Sequence, residues 1–126
     1  MQGDSRPVFL NLFQIRLPIP GVVSIAHRIS GLLLFLAIPL VLYLLMRSLR
    51  GPEDFRGVLE LLHNPLFAVV LLGLLWSFWH HLFSGIRFLL IDVEMGLAKS
   101  ASRKSAALVL AAGVMAAVLS LVGILI

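Results

Sequence analysis

The sequence contains no cysteine, which excludes disulfides, iron–sulfur ligation by this chain and a thiol nucleophile. Charge is scarce as well. Asp, Glu, Lys and Arg make up 13% of the 126 residues, whereas a soluble domain carries about 25%. Hydrophobic residues reach 60%, above the usual range of about 45–50%, so the chain belongs in a membrane. The ten Lys and Arg outnumber the six Asp and Glu, but they are scattered between apolar runs. No basic stripe interleaved with aromatics is present, so nucleic acid is not an expected partner and the charge reads as topological. No small-residue cleavage site follows the first apolar run, so a removable signal peptide is not expected. No nucleophile–base pair stands out, and catalysis by this chain alone is not expected. Gly73 and Gly85 are isolated, and the spans are expected to run without a proline break, which argues against a small transporter.

What is present divides into six segments. Residues 1–21 form an arm with Arg6-Pro7, an apolar Phe9–Phe13 run, Arg16, Pro18 and Pro20, too short and too proline-rich to span. It is expected to lie at the membrane surface or against a soluble partner. A first transmembrane helix is expected over 22–46, and it has no charge from Ile29 to Met46. In the loop 47–64, Phe55, Val58, Leu59 and Leu62 recur with helical period opposite Glu53, Arg56 and Glu60, which predicts a short amphipathic helix. Asn64-Pro65 reads as N-cap and first position of a second span over 65–91. A loop over 92–105 and a charge-free third span over 106–126, rich in Ala, Gly and Ser, complete the chain. Seven Lys and Arg fall on the side of the N-terminus and the loop 92–105, against three in the loop 47–64. That bias predicts a cytoplasmic N-terminus.

Two polar clusters interrupt the apolar spans. Ser24, His27, Arg28 and Gly31 are spaced i, i+3, i+4, i+7 and share one helix face. In the second span His81 shares a face with Ser77, Ser84, Gly85 and Phe88, while His80 points about 100° away with Trp76, Phe83 and Arg87. The adjacent histidines therefore cannot both serve one site. His81 precedes Asp92 by eleven residues, roughly 16 Å deeper along the helix and near mid-membrane. Ionisable groups at that depth mark functional sites. A histidine on a small-residue face, with His27, Arg28 or Arg87 toward the interface, suits a b-type haem: imidazole on the iron, cationic groups on the propionates. The second imidazole would come from another subunit, because His80 diverges, His63 lies in the far loop and His27 sits on the propionate side. Ser24 and Arg28 together suit the carbonyl oxygen of a quinone. Plainer roles exist for each: an interhelical hydrogen bond for His81, a back-bond to its own helix for Ser24 and a snorkelling anchor for Arg28. His80 is expected to pack against a partner or lipid headgroups, and Trp76 and Trp79 to serve packing.

Arg6-Pro7, Ser24-Ile-Ala-His-Arg-Ile-Ser-Gly31, His81-Leu-Phe-Ser-Gly-Ile-Arg87 and Asp92 together resemble the cytochrome b556 membrane-anchor subunits of succinate dehydrogenase, respiratory complex II. The resemblance covers essentially the whole chain. It implies an all-α membrane protein whose three transmembrane helices form half of a two-subunit, haem-binding anchor bundle. It also implies a bacterial inner-membrane location, an iron–sulfur subunit and a flavoprotein subunit as partners, and ubiquinone as substrate. Membrane lipid surrounds such a subunit. His81 rather than His80 would be an axial ligand of haem b, with the second anchor subunit supplying the other. Ser24 and Arg28 would line the quinone site, and His27 and Arg28 would lie near the propionates. One departure is Phe88, where the family often has histidine. That leaves the propionates to His27, Arg28 and Arg87. A fumarate reductase anchor and a haem-free structural anchor are the alternatives.

Overall fold

The computed structural model describes residues 16–126, so most of the arm expected over 1–21, including the Phe9–Phe13 run, lies outside the described residues. Four helices follow in order: α1 (Ile19–Ser48), α2 (Pro52–Leu62), α3 (Pro65–Asp92) and α4 (Lys99–Leu125). Three of them, α1, α3 and α4, are long and apolar enough to cross a membrane. At 27 to 30 residues each would measure about 40–45 Å, so their ends outreach the roughly 30 Å hydrocarbon core.

The helix ends differ from the hydropathy boundaries for local chemical reasons. The first helix starts at Ile19 rather than 22, because Pro20 falls in the first turn, where its missing N–H has no intrahelical partner to lose. Pro39 lies inside α1, contrary to the expectation of proline-free spans. The helix continues through it, as membrane helices often do, with the Phe35 carbonyl deprived of its usual donor. Asn64 caps α3 by accepting from the backbone N–H of Leu66 at 2.9 Å and Phe67 at 3.3 Å. Its far end closes in a Schellman motif, with Met95 N donating to Leu90 O and Glu94 N to Ile91 O, both at 2.9 Å. Glu94 there has φ 62°, a left-handed conformation that costs a non-glycine residue about 1 kcal/mol. The helix α4 then begins seven residues before the expected span. Lys99 to Ser105 is polar but contains no proline or glycine, so it extends the helix beyond its apolar part.

The amphipathic helix α2 buries Val58 and is tied back to the end of α1 by Arg47, whose Nε lies 3.4 Å from Asp54 Oδ1. Gly57 makes room for that guanidinium, since a Cβ there would stand 2.8 Å from Arg47 Nη2. In the three-helix array α3 packs along both α1 and α4, which meet each other less extensively. Val23, Ala106 and Val109 form a small core near the α1 N-terminus, with Phe83, Phe88 and Leu110 packed around it. Most large apolar side chains point outward, while buried positions are mainly small: Ser30, Ala37, Ser77, Ser84, Gly113 and Ala117. That is the pattern by which helices approach closely in lipid, where burial of hydrocarbon supplies no driving force.

Candidate functional site

The two adjacent histidines of α3 part toward different helices. His80 lies where α4 packs on α3 and is wholly buried within this chain, at 0% exposure. Its backbone lies against Gly113, where an added Cβ would stand 3.3 Å from His80 Cα. Trp76 stacks on the ring at 5.1 Å between centroids and 16° between planes, and Ser84 Oγ is 3.2 Å from Nε2. Among the described residues Nδ1 has no hydrogen-bond partner. This corrects the expectation that His80 packs against a partner or headgroups. Gly113 lets α4 come close enough to cover it.

His81 turns to α1. Its Nδ1 lies 3.1 Å from the His27 carbonyl oxygen and 3.3 Å from Ser30 Oγ, and Ser30 Oγ itself donates to that carbonyl at 2.9 Å. A carbonyl oxygen can only accept. The favourable tautomer therefore carries its proton on Nδ1 and leaves the Nε2 lone pair available, which is how histidine ligands are commonly oriented. Gly31 permits the approach, since a Cβ there would meet His81 Cε1 at 2.9 Å. The His27 ring stacks on His81 with centroids 4.1 Å apart and planes 10° apart, and Phe88 meets His27 edge-on at 5.2 Å. Nitrogen lone pairs lie in the ring plane, so two stacked imidazoles do not converge on an ion between them. His27 and His81 are neighbours rather than a chelating pair.

Of the face expected around His81, Gly85 and Phe88 do reach the α1 imidazole; a Cβ on Gly85 would stand 3.7 Å from His27 Nε2. Ser84 belongs to His80 instead. By helix geometry it lies about 40° from His80 and about 60° from His81, and the deeper packing against α4 decides. Ser77 bonds its own helix at Gly73 O, 2.8 Å away. Arg87 departs further from expectation. It is 5% exposed and turned to α4, with Nε donating to Ser105 Oγ at 3.0 Å and Nη2 to Ser102 Oγ and O at 3.0 and 3.2 Å. It is therefore directed away from the α1 side, and the propionate contact left open for it has no support. Trp79 also serves this interface, donating from Nε1 to Ser120 Oγ at 2.9 Å.

Ser24 lies on α1 one turn before His27 and is half-buried, while Arg28 directly follows His27 and is exposed. A hydroxyl and a guanidinium at i, i+4 present a donor pair along one helix face. Sequence reasoning overlooked Ser30, although it sits three residues after His27 within the same motif. It also overlooked Ser102 and Ser105, whose i, i+3 spacing matches a guanidinium fork only once α4 is known to extend back to Lys99.

Residues 2–121 match the family model described as the succinate dehydrogenase/fumarate reductase transmembrane subunit. The chain is similar to the succinate dehydrogenase cytochrome b556 subunit of Coxiella burnetii, 41% identical over 90 residues, covering 71% of this chain and 72% of the relative. It is also 32% identical over 118 residues to the subunit of that name from Paracoccus denitrificans, covering 94% and 91% of the two chains. With the three apolar helices, these likenesses place the protein among membrane subunits of electron transport: the chain belongs to the succinate dehydrogenase/fumarate reductase transmembrane cytochrome b subunit family.

Proposed function

We propose that this chain is a membrane-anchor subunit of a succinate:quinone oxidoreductase that holds haem b against a second anchor subunit through His81 Nε2. The observation that carries the reading is the contact of His81 Nδ1 with the His27 carbonyl, which fixes the imidazole in the ligand-ready tautomer. When bound, the haem supplies a one-electron carrier within the membrane. Everything else is the work of the chain's own groups. The main chain of α1 orients His81, and Gly31 and Gly85 keep space around the two imidazoles. His27 and Arg28 would meet the propionates, and Ser24 with Arg28 would donate to a carbonyl oxygen of ubiquinone at the membrane edge. Stacked imidazoles cannot both bind one iron, so His81 would hold the haem without His27, and a second imidazole would come from the partner anchor subunit. Electrons from succinate would arrive through the flavoprotein and the iron–sulfur subunit. The distribution of Lys and Arg supports docking of both on the cytoplasmic face of a bacterial inner membrane. The chain itself binds and orients and is non-catalytic.

The test is the dithionite-reduced minus oxidised visible spectrum of the purified complex, for wild type, His81→Ala and His80→Gln. The expected result is a sharp b-type α-band in the wild type that disappears in His81→Ala and survives in His80→Gln. A wild type without the band would overturn the haem assignment and leave a structural anchor.

A further inference from the structure

Arg87 is a buried charge that the proposed electron-transfer role does not use. It is 5% exposed, and among the described residues its hydrogen bonds go to neutral acceptors, the Ser102 and Ser105 hydroxyls and the Ser102 carbonyl. The Phe88 ring lies 5.5 Å from its Cζ. Among the described residues no carboxylate pairs with it; the ion pairs there are Arg47–Asp54 and Arg56–Glu53. An unpaired charge in a membrane-embedded segment is costly and calls for a counter-ion. Nη1 takes no part in these hydrogen bonds. The residue keeps 5% exposure, and it lines a groove open beside it.

Arg87 also lines a groove of about 460 Å³ between α3 and α4, open at the turn that joins them. Its walls below Arg87 are hydrocarbon: Phe83 and Ile86 on α3, Leu108, Val109 and Ala112 on α4. Met95 and Gly96 of the turn line its mouth, and Lys99, Arg103 and Lys104 are exposed on the first turns of α4 that follow. Asp92 and Glu94 offset part of that charge, and the balance remains positive. Five residues separate Arg87 from the end of α3, about 7.5 Å, which puts its guanidinium near the depth of phospholipid headgroups.

We propose that this groove binds one anionic phospholipid, its phosphate on the open side of the Arg87 guanidinium and an acyl chain along Ile86, Leu108 and Ala112. A basic group at the interfacial end of an apolar groove between transmembrane helices matches both halves of such an amphiphile. The two serines hold Nε and Nη2, so the guanidinium is pre-oriented and only Nη1 remains for the ligand.

The test is native mass spectrometry of the intact complex, delipidated and titrated with dioleoylphosphatidylglycerol, with excess inorganic phosphate as competitor. The expected result is one saturable lipid site that Arg87→Gln weakens roughly tenfold, the loss of one charge-assisted contact. Ala112→Trp, which fills the groove and leaves Arg87 in place, should weaken it similarly and serves if Arg87→Gln fails to assemble. Inorganic phosphate should not displace the lipid. Displacement by phosphate would reveal a free-anion site and overturn the lipid assignment. Binding unchanged in both variants would overturn the site altogether, and neither result bears on the haem band of His81.

Discussion

His80 and His81 are neighbours in sequence with the same side chain, yet the fold treats them as opposites. His80 faces α4 across a glycine that touches its backbone; His81 faces α1 across a glycine that touches the tip of its ring. On the α4 side the contacts include an indole–hydroxyl bond, a buried arginine held by two serines and close backbone packing. On the α1 side they include two stacked imidazoles, one carbonyl and the Ser30 hydroxyl, with a ring nitrogen left over. One side of α3 holds the bundle together, and the other presents chemistry.

The sharpest way to break this contrast is to exchange the fates of the two histidines. His81→Ala should abolish the reduced α-band while leaving the complex assembled, and His80→Gln should keep the band while lowering thermal stability in detergent. The glycines come next. Gly113→Ala would force a methyl against the backbone of α3, so a loss of about 1–3 kcal/mol is expected from overpacking, read by thermal unfolding of the complex. Gly31→Ala meets only the ring end of His81. It should therefore cost less stability than Gly113→Ala while shifting or broadening the haem band. If both glycine variants changed the spectrum equally, the division of labour across α3 would be wrong. The smallest effect is Ser120→Ala. Removing the acceptor of the Trp79 bond should cost about 0.6 kcal/mol, typical for one hydrogen bond between membrane helices, with no spectral change.

Three spans, a short amphipathic connector and the Asn64 cap were all legible in the sequence, because each rests on composition or on spacing within one element. The start of α4 was not. Hydropathy marks where lipid-facing residues begin, and Lys99 to Ser105 is helical without being apolar. Pro39 was not legible either, because a proline inside a charge-free run leaves the hydropathy of a span unbroken. At the site, helix geometry separated His80 from His81 and grouped Arg87 with His80. It could not tell which neighbouring helix each face would meet. The burial of His80 and the capture of Arg87 depend on Gly113, Ser102 and Ser105, residues at least 15 positions away in the chain, and only the packing of α4 brings them together.

The uneven stapling of α3 has a consequence for biogenesis. The α3–α4 hairpin carries its polar locks within consecutive segments joined by a tight turn, so it can close as soon as both have left the translocon. The helix α1, although made first, docks through the Val23 cluster, an imidazole stack and the contacts of one ring nitrogen with the His27 carbonyl and Ser30. We therefore expect α1 to remain the adjustable wall until a prosthetic group and a partner arrive. Cysteines placed at Trp79 and Ser120 should crosslink in membranes from haem-deficient cells as readily as in normal ones. A pair placed at His27 and Gly85, which meet between α1 and α3, should not, and equal crosslinking of the two pairs would refute this order of assembly.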